Sequence, residues 1–118
     1  MRFVPDPEMW EWLMHFGGDS SDFDWDHGNR FKNLKHEVAA EDVESLFEND
    51  IVLGGLLIEP VHEERRWLIL GIDQYDRKLT LIATRRGEAD ERLRPISCRT
   101  MRKKEKEYYA AATSKTEP

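Results

Sequence analysis

The hydrophobic and polar positions divide the chain into a helical first third, a strand-rich middle and a helical end. Pro7 to Phe16 reads as a short helix, with Pro7 in the first turn, Glu8 at the positive end of the dipole and Gly17-Gly18 as the stop. Met9, Trp10, Trp12, Leu13, Met14 and Phe16 make it apolar nearly all round, so it must bury itself on its own domain or on a partner. Gly17 to Asp22 contains only Gly, Asp and Ser and reads as a flexible connection, which sets residues 1–22 apart as an extension. Asp26 to Lys35 predicts a second helix with Phe31 and Leu34 turned inward, and Ala40 to Asn49 a third, with Val43, Leu46 and Phe47 at i, i+3 and i+4.

Four strands are expected next. Ile51 to Ile58 is the first, with a bulge or break at Gly54-Gly55; Arg66 to Ile72 and Lys78 to Thr84 are the clearest; Arg92 to Cys98 contains Pro95, which places it at an edge or a bulge. The turn-like Asp73-Gln74-Tyr75-Asp76 and Gly87-Glu88-Ala89-Asp90 connect the last three as an antiparallel meander. Thr100 to Ala112 returns to a helical pattern, and Thr113 to Pro118 reads as a disordered tail. The order predicts an α+β domain: N-terminal helices, a four-stranded antiparallel sheet and a C-terminal helix, with the helices packed on one face. Trp25, Phe47 and Trp67 read as core.

Composition narrows the classes. A chain of 118 residues fits one domain, read here as residues 23–112. Its longest apolar run, Ile51 to Ile58, is far below the roughly 20 residues that span a bilayer, and the N-terminus lacks an apolar signal core, so a cytoplasmic protein is expected. One cysteine, Cys98, supports neither an internal disulfide nor a multi-cysteine zinc site. The net charge of −6 is unevenly spread: residues 1–64 carry four basic and sixteen acidic side chains, residues 65–118 fourteen basic and eight acidic. The basic half leaves a surface for phosphate or an acidic partner.

Asp22, Asp24 and Asp26 begin like a calcium loop, but His27 and Asn33 stand where glycine and glutamate are needed, so a cap for the next helix is the expected role. His62-Glu63-Glu64 begins like a zinc-protease motif, and Arg66 occupies the place of the second histidine. Arg66, Arg86, Arg94 and Arg99 fall at strand ends and junctions, where guanidinium groups can converge on one rim and stabilise a pentacoordinate phosphorane. Arg94 and Arg99 are an odd number of residues apart, so they share a face only if the strand bulges or ends between them. Arginines gathered in an open concave patch would mark an enzyme; arginines each paired with an acid such as Glu63, Glu64 or Asp90 would mark a structural surface.

Several residues in order resemble a known family: Phe23-x-Trp25-Asp26, Asn33, Lys35-His36-x-Val38, an acidic helix ending in Phe47, Glu64-x-Arg66-Trp67, Thr84-x-Arg86, Arg94-x-Ile96-Ser97-Cys98-Arg99, and Lys104-Glu105 followed by Tyr109. The pattern is similar to that of the BrnT toxins, ribonuclease components of bacterial type II toxin–antitoxin systems. Lys35-His36-Glu37-Val38 departs from the family's usual Lys-His-Gly-Val, and Arg102 replaces a common Ser or Thr, which leaves Thr100 as the expected helix cap.

The resemblance implies a RelE-like fold and a metal-independent endoribonuclease, with no cofactor, that cleaves RNA and inhibits translation. It also implies a BrnA-like antitoxin that alone contacts operator DNA, and assembly as a homodimer or a heterotetramer. Arg66, Arg86, Arg94 and Arg99 would surround the scissile phosphate. Glu105, Tyr109 and His36 are the implied proton carriers, Glu105 equally as an arginine's partner, and Lys35, His36, Lys103 and Lys104 the implied RNA contacts. The alternative is a non-catalytic interaction module on the same fold.

Overall fold

Burial along the central strand determines how the layers stack. In the computed structural model, which describes residues 1–114, Trp67 to Gly71 are buried without alternation, so both faces of that strand must be covered. The elements are β1 (Arg2–Val4), α1 (Pro7–His15), α2 (His27–Leu34), α3 (Ala40–Ser45), β2 (Val52–Glu59), β3 (Trp67–Ile72), β4 (Lys78–Arg86), β5 (Arg92–Thr100) and α4 (Lys103–Ser114), with short 3-10 turns at Ser20–Asp22 and Leu46–Glu48. The strands form one antiparallel sheet in the order β1-β2-β3-β4-β5.

Two sequence expectations are corrected. The sheet has five strands, not four, because β1 pairs with β2 through Phe3 opposite Leu57 and Val4 opposite Leu56; a three-residue strand is too short to show an alternating pattern. The helices also cover both faces instead of one. Met9, Leu13, Val38, Val43 and Leu46 pack against Trp67, Ile69, Leu79, Leu81, Ala83, Leu93 and Cys98 on one side. Met101 and Tyr109 pack against Leu68, Leu70 and Ile82 on the other. Residues 1–22 thus contribute an edge strand and two core side chains, and Asp6 ties them down by accepting hydrogen bonds from the Met9 N–H (3.2 Å) and the Trp67 indole (2.8 Å).

A third correction concerns α2. Phe31 and Leu34, expected inside, are 56% and 55% exposed, while Asn29 and Asn33 are buried. The reason is the edge of β5, whose outward backbone groups need partners. Asn29 Nδ2 donates to the Pro95 carbonyl (2.8 Å), and Asn33 Oδ1 accepts from the Cys98 N–H (3.0 Å). Two asparagines one helical turn apart therefore close the sheet edge, and the apolar side chains face away.

The helix ends follow local chemistry. Asp26 caps α2 by accepting from the Asn29 N–H at 2.9 Å. Glu37 follows α2 with φ of 60°, the left-handed conformation for which the related pattern has glycine. Thr100 does not cap α4; it is the last residue of β5, and Glu105 reaches back to accept from the Arg102 N–H at 2.7 Å. Thr113 and Ser114 are helical, and the rest of the expected disordered tail lies outside the described residues. Among the described residues, no helix is long and apolar enough to cross a membrane.

Candidate active site

Strand register decides which arginines meet. Arg94 lies opposite Thr84 and Arg99 opposite Thr80, so both fall on the same sheet face despite their odd spacing. The register shifts between Ile82 and Ala83, where Ser97 and Pro95 are their partners, and Ile96 is the extra residue that restores parity. Arg86 lies opposite Arg92, an even number of residues from Thr84, and so shares that face. Arg66 precedes β3, immediately before Trp67 and its partner Ala83.

One end of this face is covered by α4; at the other, Arg66, Arg86 and Arg94 line an open cleft of about 510 Å³. The N-terminus of α2 forms its wall with Asp26, His27, Gly28, Asn29 and Lys32, and Glu64 lies on the opposite strand's approach. Four cationic side chains and two carboxylates line the cleft, so it is locally positive on an acidic protein.

Its arginines are also paired. Arg86 Nη1 is 2.7 Å from Glu64 Oε2, and Arg66 Nη2 is 3.7 Å from Glu64 Oε1. Arg94 reaches Asp26 at 2.7 Å and Asp24 at 3.4 Å. Burial opposes the charge on Arg94, but Asp26 and Asp24 outweigh it and raise its pKa. The Asn29 N–H, then Arg94, lower that of Asp26. Arg66 keeps a buried Nε–H with no acceptor among the described residues, a donor of the kind an anion oxygen satisfies.

Arg99 and Glu105 lie at the covered end of the face. Arg99 grips both Glu105 oxygens at 2.7 and 2.9 Å, and Glu105 also accepts from Thr80 at 2.9 Å. Burial would raise the Glu105 pKa, but the bonds from Arg99, the Arg102 N–H and Thr80 hold it at about 2. Tyr109 turns from α4 into the core; its hydroxyl donates to the Asp50 carbonyl at 3.2 Å, and burial raises its pKa. Lys35 and His36 lie in the turn after α2, outside the cleft lining. Lys103 and Lys104 flank a different groove, together with Phe3, Leu68 and Leu70. The structure thus gathers Arg66, Arg86 and Arg94 and places the other expected site residues elsewhere.

His27, Lys32 and Glu64 complete the cleft and were not singled out from the sequence as site residues. The Asp26 cap signals the start of α2 and so sets His27 and Lys32 on it, but only the register of β4 and β5 reveals that this helix end faces the arginines. Asp22, Asp24 and Asp26 take separate tasks: Asp22 accepts from the Asp19 N–H, Asp24 pairs with Arg94, and Asp26 caps α2. No group of three metal-ligating side chains is found among the described residues.

No curated protein sequence matches the chain. A family model described as the ribonuclease toxin BrnT of type II toxin–antitoxin systems matches residues 25–105, from the tryptophan before the α2 cap to the glutamate that holds Arg99. With most of its length matched, the chain belongs to the BrnT family of ribonuclease toxins, for which a type II system implies an antitoxin partner.

Proposed function

We propose that the chain is a metal-independent endoribonuclease whose arginine cleft holds the scissile phosphate of RNA. The observation that carries this reading is the convergence of Arg66, Arg86 and Arg94 in one open cleft. Guanidinium groups remain charged at any physiological pH and offer forked donors to phosphate oxygens, so they can stabilise the added charge of a phosphorane without a metal. The substrate's 2′-hydroxyl attacks the neighbouring phosphorus, the bond to the 5′-oxygen breaks, and the products are a 2′,3′-cyclic phosphate and a free 5′-hydroxyl. Within the cleft lining, Glu64 takes the proton of the 2′-hydroxyl and His27 supplies one to the leaving oxygen. Asp26 is committed to the helix cap. Glu105, at about 2, is too weak a base for this task and positions Arg99 instead.

In this reading the fold is RelE-like with an added edge strand, and the protein acts in the cytoplasm by cleaving RNA and stopping translation. A BrnA-like antitoxin holds it inactive and carries the contact with operator DNA. A second reading, a non-catalytic interaction module, is favoured by the ion pairs that Glu64, Asp24 and Asp26 make with the same arginines.

The test is to incubate purified, partner-free protein with RNA in EDTA, beside an Arg86→Ala/Arg94→Ala variant, and to map the fragment ends. Cyclic-phosphate ends from the wild type and none from a folded variant are expected. Absence of cleavage by folded wild type, on free RNA and on translating ribosomes, would replace the enzyme by the interaction module.

A further inference from the structure

We propose that the exposed side of α2 is a stacking platform for a base of single-stranded RNA, with the Phe31 ring as its surface, next to the phosphate held in the arginine cleft. This rests on the reading of that cleft as an RNA site.

The helix has two opposed sides. Asn29 and Asn33 face the sheet edge, and His27, Phe31 and Leu34, spaced i, i+4 and i+7, share the other side. Phe31 is more than half exposed, because Asn29 and Asn33 take the inward side of α2. Its ring is stacked on that of His27, with centroids 6.3 Å apart and planes 17° from parallel, and His27 lines the cleft. The aromatic surface is therefore continuous with the arginine site.

Charge identifies the occupant. Residues 1–64 carry only four basic side chains against sixteen acidic ones, yet Arg30, Lys32 and Lys35, three of the four, lie on α2 or at its C-cap. Lys32 lines the cleft, and Lys35 Nζ lies over the Phe31 ring, 5.4 Å from its centroid. An incoming base takes the place of this cation, whose flexible stem lets it swing to the neighbouring phosphate. An exposed ring with mobile cations over and beside it is what a single-stranded nucleic acid engages, the ring taking a base and the cations its phosphates. A purely apolar protein contact would use Phe31 and Leu34 but not the concentration of positive charge on the one helix of the acidic half that borders the cleft. Stacking also selects unpaired RNA, because a duplex keeps its bases inside.

The test measures binding separately from cleavage. A single-stranded oligoribonucleotide with 2′-fluoro substitution, which lacks the nucleophile, carries 2-aminopurine at each position in turn. It is titrated with wild type, Phe31→Ala, Phe31→Tyr and Arg94→Ala. Phe31→Ala should weaken binding roughly 5- to 150-fold, the range for one base–aromatic stack, and abolish 2-aminopurine quenching at one position. Phe31→Tyr should restore both. Because Phe31 is exposed, thermal melts of the two Phe31 variants should match the wild type. Unchanged affinity and quenching in Phe31→Ala, with Arg94→Ala impaired, would overturn the platform, leave the cleft standing and assign the apolar stripe to a protein partner. Failure of wild type to bind the oligonucleotide would sink the RNA reading of the cleft and the platform with it.

Discussion

Replacing Glu105 with glutamine should cost about 2 kcal/mol of stability, and the cost should vanish in acid. The carboxylate accepts from Arg99 at 2.7 and 2.9 Å, from the Arg102 N–H at 2.7 Å and from the Thr80 hydroxyl at 2.9 Å. It thereby ties the end of β5, the first part of β4 and the start of α4 together. Its pKa falls from 4.5 to about 2 on folding, which at 1.36 kcal/mol per unit is worth about 3 kcal/mol. The side chain retains 15% exposure, and solvent screening reduces the figure to about 2 kcal/mol.

Because the folded value is depressed, this stability is fully present above the unfolded pKa of 4.5 and is lost as pH falls towards 2. Glutamine keeps the shape but turns an N–H against the guanidinium. Urea unfolding near neutral pH should show the deficit, with a melting temperature roughly 6–10 °C lower. Near pH 3, less than about half of the difference should remain, because the wild-type carboxylate is then losing its advantage. Other carboxylates titrate in both proteins and cancel. A difference as large near pH 3 as near neutrality, or none at neutrality, would refute the role given to Glu105.

Four further outcomes are expected. Asn33→Ala should cost about 1–3 kcal/mol in urea unfolding, because the buried Cys98 N–H loses its acceptor; a neutral effect would show that the edge of β5 does not need α2. Glu37→Gly should raise stability by about 0.5–1 kcal/mol, since glycine accepts a φ of 60° without the side-chain penalty, and a lower melting temperature would contradict this. Gly55→Ala should release β1, because a Cβ there would stand 2.6 Å from the Val4 carbonyl oxygen at a φ of 134°; faster proteolysis around Val4 is the readout, and wild-type resistance would count against it. Cys98 should be inert to a thiol reagent in the native protein, its pKa pushed by burial to about 12; rapid labelling without unfolding would show the strand to be open.

Much of the fold was legible because it is local. Asp26 announces α2, the strand-forming run from Lys78 to Thr84 after a turn-like segment announces β4, and Gly54-Gly55 announces the irregularity in β2 that the register confirms. The site was legible in part. Arg66, Arg86 and Arg94 stood out by their places at strand ends, but the separation of Arg99 from them depends on where α4 lands. Phe31 shows why pattern reading failed on α2. Hydrophobicity placed it inside, and the need of an edge strand for hydrogen-bond partners put two asparagines there instead.

The amino-acid sequence by itself determined the α+β class, the caps and turns, the division of charge between the halves and the order of motifs that marks the family, because each depends on neighbours along the chain. The tertiary structure decided the fifth strand, the covering of both sheet faces and the sharing of one face by Arg94 and Arg99. A single extra residue at Ile96 inverts the side-chain parity of the strand that follows it. That inversion brings Arg99 onto the face of Arg94 but not into the cleft; what turns Arg66, Arg86 and Arg94 into a cleft is the register of β4 with β5 and the packing of α2 across the sheet edge, both relations between distant segments.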